Sequence, residues 1–128
     1  MRLLLDTHTF LWWDSEPEKL SSRSLELLQN RNNILFLSVV SAWEIQIKLQ
    51  LGKIKIGLPL ADIIESQQQA NNIEIIPVKL EHVLRLSEIP SHHKDPFDRL
   101  LIVQAIAENL TLVSKDPAFS NYPVKVNW

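Results

Sequence analysis

The segment Arg2–His8, with the sequence RLLLDTH, places a carboxylate directly after a short run of leucines. The length of that run favours a buried strand over Arg2–Leu5, and a helix is predicted to begin just after Asp6. In an open α/β sheet, ligands bind outside the carboxyl ends of the strands. Asp6 is therefore expected at a ligand-binding edge of a sheet.

Three further acids occupy similar places, at predicted helix starts. Glu44 comes after an apolar run at 34–37, Asp116 comes after another at 111–113, and Asp98 opens a long apolar helix. Carboxylates gathered at one edge repel each other unless a cation lies between them. Magnesium and manganese ions prefer such oxygen ligands. The four acids together predict a hard-metal site and hence chemistry on phosphoesters.

Strands and helices alternate along the chain. Further strands are predicted at 73–78 and 124–126, and helices at 7–14, 24–30, 41–51, 60–70, 79–86 and 95–109. Residues 53–58 alternate as Lys-Ile-Lys-Ile and predict a short extended piece. This order predicts a single α/β domain over 1–128, with three α/β/α layers around a short, mostly parallel central sheet.

Composition excludes several classes of protein. The 128 residues include no cysteine, which excludes disulfides and thiolate metal sites and fits the cytoplasm. No apolar run approaches the roughly 20 residues of a membrane span. The formal net charge of −2 disfavours a general nucleic-acid coat, which would be basic. Two glycines cannot form a glycine-rich phosphate loop.

Each acid also has a structural explanation as a helix cap. Ser41 and Glu44 have the spacing of a capping box, and Asp95 and Asp116 each precede a proline, as N-caps often do. Asp98 would then be the third residue of the helix that Asp95 caps. Capping alone gives no reason for acids to gather at one edge, and a carboxylate can cap a helix and bind metal at once.

The histidines and tryptophans carry weaker signals. His8 lies two residues past Asp6 and can approach the site, whereas His92, His93 and Lys94 are predicted to form a solvated loop. None of the histidines has zinc-type spacing. Packing in the core or against a partner is favoured over base stacking for three tryptophans near the site, Trp12, Trp13 and Trp43.

Four segments in this order resemble the PIN-domain family, in particular the VapC-like ribonuclease toxins of bacterial toxin–antitoxin pairs. They are LLLDTH at 3–8, SVVSAWEIQIKLQLGKI at 38–54, HKDPFDRLLIVQA at 93–105 and LTLVSKDPAF at 110–119. By this resemblance Asp6, Glu44, Asp98 and Asp116 are the catalytic and metal-binding acids of the family. Thr7, Asp95 and Ser114 match residues that support those acids from a second layer.

The resemblance implies an endoribonuclease, a hydrolase that uses Mg²⁺ or Mn²⁺, in one or two ions, to cleave RNA phosphodiester bonds. The products would carry 5′-phosphate and 3′-hydroxyl ends. Near the acids in sequence, Lys48, Arg99 and Lys115 are candidates for neutralising substrate phosphates, with plain surface charge as the alternative.

The resemblance also implies two protein partners, a second copy of the chain and a small antitoxin. The C-terminal segment of the antitoxin would wrap the toxin and block its site. Trp12, Trp13 and the stretch 49–58 are candidates for the groove that receives it.

Other functions compete with the nuclease. A catalytically silent PIN-like domain that binds RNA or a protein is the main alternative, and metal-dependent turnover separates the two. A phosphoacceptor receiver would need paired acids after the first strand, and a dehalogenase-like phosphatase would need Asp-x-Asp. The chain has Asp6-Thr7-His8 there, which disfavours both. DNA is a second candidate substrate, because no residue identifies a reader of the 2′-hydroxyl.

Overall fold

Five parallel strands form one sheet in the computed structural model, which describes residues 1–93 and 95–128. The strands are β1 (Arg2–Leu5), β2 (Ile34–Ser38), β3 (Glu74–Ile76), β4 (Thr111–Val113) and β5 (Val126–Asn127). Their order is β3-β2-β1-β4-β5, with β1 in the middle. The prediction that placed Lys94 in a loop lies outside the described residues.

In the described part of the chain, six α-helices connect or flank the strands. They are α1 (Thr7–Ser15), α2 (Ser22–Gln29), α3 (Val39–Gln50), α4 (Leu60–Asn71), α5 (Leu80–Leu84) and α6 (Pro96–Ala107). Short 3₁₀ helices cover Pro17–Lys19, Arg85–Glu88 and Pro117–Asn121. Within 1–93 and 95–128, every helix is too short or too polar to cross a membrane.

Helices cover both faces of the sheet, as the sequence predicted. Because side chains alternate along a strand, Leu3 and Leu5 point to one face and Leu4 to the other. The Leu3 face packs against Phe10 of α1 and buried residues of α2, α3 and α4. The Leu4 face packs against α6, around Leu101 and its neighbours. These two cores confirm the three-layer α/β/α architecture.

The strand order places a crevice between β1 and β4. From β1 the chain proceeds to β2 and β3 on one side, and it then returns through α6 to β4 on the other side of β1. Such a switch point in the strand order leaves an open crevice at the carboxyl ends, where α/β proteins bind ligands. Asp6 directly follows β1, and Ser114 directly follows β4.

Helix α3 begins three residues earlier than a capping box at Ser41 would require, so that prediction is wrong. Ser38 is the N-cap, and its hydroxyl accepts a hydrogen bond from the Val40 amide at 3.0 Å. The same hydroxyl donates to Gln104 Oε1 at 2.5 Å, which fixes it inside the core. Strand β2 therefore passes into α3 without a loop, and Glu44 lies in the second turn of the helix rather than at its start.

Two predicted strands are displaced or shortened. The strand predicted at 73–78 is only Glu74–Ile76, because Pro77 follows and has no amide hydrogen for the ladder. The strand predicted at 124–126 is instead Val126–Asn127. The amide of Val124 is bonded to the Tyr122 carbonyl at 2.8 Å, in a turn, and so does not pair with β4.

Two other segments also differ from the predictions. Residues 53–58 do not pair with the sheet; their alternation reflects burial, since Ile54 and Ile56 pack on the core while the lysines are exposed. The helix predicted at 79–86 ends at Leu84 and tightens into the 3₁₀ helix Arg85–Glu88.

Candidate active site

A cleft of about 520 Å³ lies over the carboxyl ends of β1 and β4. Among residues 1–93 and 95–128, five carboxylates and two lysines line it, so the acids outnumber these bases by three. The carboxylates are Asp6, Glu44, Asp95, Asp98 and Asp116, and the lysines are Lys48 and Lys115. A smaller cavity, about 300 Å³ at the opposite end of the sheet, contains one carboxylate, that of Glu74. Of these two cavities, it is therefore the one at the carboxyl edge of the sheet that contains the cluster of acids.

Asp6 serves as a helix cap and as part of the cleft wall. Its Oδ1 accepts a hydrogen bond from the Thr9 amide at 2.8 Å, which begins α1. Its Oδ2 accepts one from Ser114 Oγ at 2.5 Å. The Ser114 hydroxyl in turn accepts from the Asp116 amide at 3.0 Å. Ser114 thus fixes two of the acids relative to each other, and Asp116 also caps the 3₁₀ helix that follows it.

Glu44 is held from two sides in the second turn of α3. Thr7 Oγ1 donates to Glu44 Oε1 at 2.7 Å and lies 3.0 Å from the buried Ser41 hydroxyl. Lys48, one turn along α3, forms an ion pair with Glu44 Oε2 at 3.0 Å. The Glu44 side chain is nearly buried, so these contacts compensate for its lost hydration. Thr7 therefore contacts a cleft acid, as its predicted supporting role requires.

Asp98 lies at the third position of α6, as predicted. Asp95 caps this helix by accepting from the Phe97 amide at 2.9 Å and the Asp98 amide at 3.3 Å. The prediction of a solvated loop is corrected for His93, whose ring lies in the cleft with its Nε2 2.7 Å from Asp98 Oδ2. The Tyr122 hydroxyl fixes this loop by accepting from the His93 amide at 2.6 Å.

Burial raises the pKa of Asp98 from 3.8 to about 6. The hydrogen bond from His93 opposes that rise, while the charges of Asp95 and Glu44 add to it. Burial and the neighbouring charges of Asp95 and Glu44 therefore both disfavour the ionised form of Asp98. A cation in the cleft would reverse this effect and restore the ionised form.

The donor groups fit a divalent cation. His93, Asp98 and Asp116 offer three ligand atoms that all lie within 4.8 Å of one another. Carboxylate oxygens with one imidazole nitrogen suit Mn²⁺, and the carboxylates and water suit Mg²⁺. Asp6 and Glu44 line the same cleft with their oxygens already oriented by Ser114 and Thr7.

The three basic residues proposed for phosphate binding lie in different places. Lys48 and Lys115 line the cleft, and Lys115 is exposed. Arg99 faces away: its guanidinium donates to the Pro90 carbonyl at 2.9 Å and to the Leu86 carbonyl at 3.0 Å. The prediction for Arg99 is therefore corrected, because its hydrogen bonds fix the 86–90 segment on α6.

An aromatic wall formed by His8 and Trp12 of α1 borders the acids on one side. His8 thus approaches the site, as the sequence suggested. Trp13, the next residue, packs on the core instead. Trp43 is 56% exposed and meets the Phe97 ring edge-on, with centroids 4.9 Å apart, outside the cleft lining. The sequence alone did not predict which of the three tryptophans would line the cleft, since the surroundings of each ring depend on the packing of the whole domain.

The comparisons of this chain with a family model, with a known relative and with solved structures agree with one another. The PIN-domain family model matches residues 3–125. Ribonuclease VapC22 of Mycobacterium tuberculosis (strain ATCC 25618 / H37Rv) is 27% identical over 115 residues, which covers 89% of this chain and 86% of that protein.

Solved structures with the same fold include VapBC2 from Rickettsia felis bound to a DNA fragment from its promoter, with a TM-score of 0.74 and 22% identity. That match covers 99% of this chain and 98% of the other. DNA-bound VapBC from Salmonella typhimurium matches with a TM-score of 0.68 and 16% identity, over 99% and 97% of the two chains. FitAcB from Neisseria gonorrhoeae matches with a TM-score of 0.65 and 17% identity, over 97% and 95%.

Proposed function

Since this chain belongs to the PIN-domain family, we propose that it is an endoribonuclease that uses Mg²⁺ or Mn²⁺ to hydrolyse RNA phosphodiester bonds. The resemblance to Ribonuclease VapC22 supports RNA as the substrate. The resemblance to VapC-like toxins further supports a role as the toxin of a toxin–antitoxin pair.

One observation carries the proposal: in the part of the chain that the structure describes, five carboxylates share a cleft with two lysines. A fold gains no stability from this arrangement by itself, because like charges at close range repel one another. Burial is the largest cause of the raised pKa of Asp98, and the charges of Asp95 and Glu44 add this repulsion to it. Binding of a divalent cation would offset it, and RNA phosphates could then approach a cleft that otherwise repels them.

The residues of the cleft have distinct proposed roles. Asp98 and Asp116, the closely spaced pair, would hold the ion together with Asp6 and Glu44. When bound, the cation supplies the Lewis acid for attack of water on phosphorus. Thr7 and Ser114 orient Glu44 and Asp6 through short hydrogen bonds, and Asp95 fixes the start of α6 that carries Asp98.

The two lysines would bind substrate phosphates. Lys115 is exposed and lines the cleft, where its ammonium group would meet a phosphate. Lys48 neutralises Glu44 in the structure, at 3.0 Å, and would be released toward the substrate once a cation takes over that role.

The test is cleavage of a mixed cellular RNA pool by the wild type, with Mg²⁺, Mn²⁺ or EDTA. Asp98→Asn should abolish metal-dependent cuts. Asp62→Asn is the matched control, because Asp62 also lies at the third position of a helix but is exposed on α4, outside the cleft lining. Cleavage that survives Asp98→Asn would contradict the proposal. A wild type that binds the pool without cutting it in any metal would instead support the binding-module alternative.

We also infer a small antitoxin and a second copy of the chain as partners, acting together in the cytoplasm. Exposed large apolar side chains support both partners, because clusters of exposed apolar groups mark protein interfaces. Leu51 is 62% exposed and Leu58 is 59% exposed, both within the stretch predicted to receive the antitoxin. Trp12 and Trp13 in the same predicted groove are half-buried. Co-expression with a candidate small antitoxin should yield a complex that does not cut RNA, and sedimentation of the chain alone should show a dimer.

A further inference from the structure

We infer that His8 and Trp12 form a stacking site for an unpaired base next to the phosphate that is cut. This inference rests on the proposed function and extends it from the phosphate to the base. The two residues lie one helical turn apart on α1, with ring centroids 5.7 Å apart and planes inclined at 44°. Both line the cleft that contains the acids.

The Trp12 ring is held in place by its neighbours. Trp128 meets it edge-on, with centroids 5.9 Å apart. The Lys19 ammonium lies 6.0 Å from the Trp12 ring centroid, at the outer range of a cation–π contact. A ring fixed in this way loses little conformational freedom when a ligand stacks beside it.

His8 is exposed and open to a ligand. Across residues 1–93 and 95–128, its ring forms neither a hydrogen bond nor an ion pair, although it rests against Trp12. It also lies outside both core clusters, so the packing of the fold does not require a flat ring at this position. Trp12 by contrast contributes both to the core and to the cleft wall.

The position of the wall suggests what it binds. If the acids and their cation hold a phosphate, the nucleosides on either side of that phosphate must lie against the cleft walls. The α1 wall begins two residues past Asp6, and it presents aromatic rings rather than charges. Aromatic side chains bind single-stranded nucleic acid by stacking on its bases, largely without regard to sequence. A base in a duplex is already stacked and paired, so only an unpaired base can reach this wall.

The test measures the affinity for three labelled ligands in Mg²⁺ by fluorescence anisotropy, with the intact fraction of each ligand checked on a gel. The ligands are a single-stranded RNA, the same RNA as a duplex, and a single strand of the same length with abasic riboses throughout. His8→Ala should weaken binding of the intact single strand by about fivefold and Trp12→Leu by about tenfold or more. Neither change should affect the abasic strand, whose contacts with the protein are confined to its backbone.

Matched controls are His92→Ala and Trp43→Leu, since His92 and Trp43 are exposed but lie outside the cleft lining. Trp12→Phe should retain most of the affinity, because it keeps a ring. His8→Ala changes an exposed residue and keeps the inference testable even if Trp12→Leu fails to fold by circular dichroism.

The outcomes separate this inference from the proposed function. If the wild type cuts RNA and both variants bind the intact strand as well as it does, stacking is refuted while the nuclease proposal stands. Equal losses for intact and abasic strands would also refute stacking. Unchanged RNA binding with weaker capture of a copurifying partner would assign the wall to a protein interface instead. If the wild type never cuts but the variants lose only the intact strand, the stacking site stands and the nuclease proposal falls.

Discussion

Thr7 Oγ1 donates a hydrogen bond to Glu44 Oε1 across 2.7 Å, and so joins the first turn of α1 to the second turn of α3. The two residues follow different strands and are 37 positions apart in sequence. Both are buried, which makes the bond costly to remove.

Thr7→Val should lower the free energy of unfolding by about 1–3 kcal/mol, because it leaves a buried carboxylate oxygen without its donor. Thr7→Val should also reduce RNA cleavage, whereas Thr7→Ser should retain both the stability and the cleavage rate of the wild type. Thr9→Val is a matched control: it removes a buried hydrogen bond of the same helix, to the Val113 carbonyl at 2.9 Å, away from the cleft lining. Urea unfolding and initial rates measure the two effects. Equal cleavage rates for Thr7→Val and Thr9→Val would contradict the role given to Thr7.

The raised pKa of Asp98 predicts how metal binding depends on pH. A carboxyl whose pKa is raised in the folded protein favours its protonated form, so it contributes stability at low pH that is lost as pH rises through about 6. Metal binding requires the ionised form. Affinity for Mn²⁺ should therefore fall below about pH 6, by up to tenfold per pH unit for one proton. Calorimetric titrations at pH 5, 6 and 7 test this, and an affinity that is flat over that range would contradict it.

The hydrogen bond between His93 and Asp98 predicts a positioning role for the histidine. His93→Ala should weaken metal affinity by about tenfold, the smaller effect typical of residues that orient or complete a metal site. His93→Gln should recover part of the loss, since its amide can still donate to Asp98 Oδ2. His92→Ala, one residue away and outside the cleft lining, is the control. Equal metal affinity for the wild type and His93→Ala would show that the contact has no role in the site.

The hydrogen bond between His82 and Glu108 lies outside the cleft lining, so it allows a contribution to stability to be tested apart from the active site. His82 is fully buried; its Nδ1 accepts from the Lys79 amide at 3.0 Å, so Nε2 carries the proton and donates to Glu108 Oε1 at 3.0 Å. This bond lowers the pKa of Glu108 below 4.5. A lowered carboxyl pKa contributes stability above pH 4.5 that is lost as pH falls through its folded value.

Glu108→Gln should therefore cost about 0.5–1 kcal/mol at pH 7, a small effect because the Glu108 side chain is partly exposed and solvent screens its charge. The difference from the wild type should shrink at pH 4 and below, and RNA cleavage should be unchanged at pH 7. Chemical unfolding of the wild type and Glu108→Gln at pH 7 and at pH 4 measures this difference in the free energy of unfolding. A stability difference that grows on acidification would contradict the assignment.

The sequence was sufficient to predict the fold because β1 and β2 are short apolar runs rich in leucine and because strands and helices alternate along the chain. Asp6, Asp95 and Asp116 do cap their helices, as local sequence indicated. The error at Ser41 has a physical cause. Ser38 is an equally good cap three residues earlier, and its hydroxyl is held by the hydrogen bond that it donates to Gln104, which is 66 residues away in sequence.

The same limit explains His93 and Arg99. A histidine in a polar loop is usually solvated, but here the Tyr122 hydroxyl, 29 residues along the chain, accepts from the His93 amide and helps to hold the loop against the cleft. Arg99 follows Asp98 directly, but successive residues on a helix point in different directions. Its guanidinium therefore meets the carbonyls of Leu86 and Pro90 rather than the acids. Long-range contacts, which no local pattern contains, determine both placements.

The most direct test of the account is a Mn²⁺ titration of the wild type, Asp98→Asn and Asp62→Asn, with metal binding and RNA cleavage followed in the same samples. Wild type and Asp62→Asn should bind Mn²⁺ and begin to cut RNA over the same range of metal concentration. Asp98→Asn should fold, bind Mn²⁺ at least about tenfold more weakly, and leave RNA intact. Cleavage by Asp98→Asn at the wild-type rate, or cleavage by the wild type without any bound metal, would contradict the claim that this acidic cleft is a metal-dependent nuclease site.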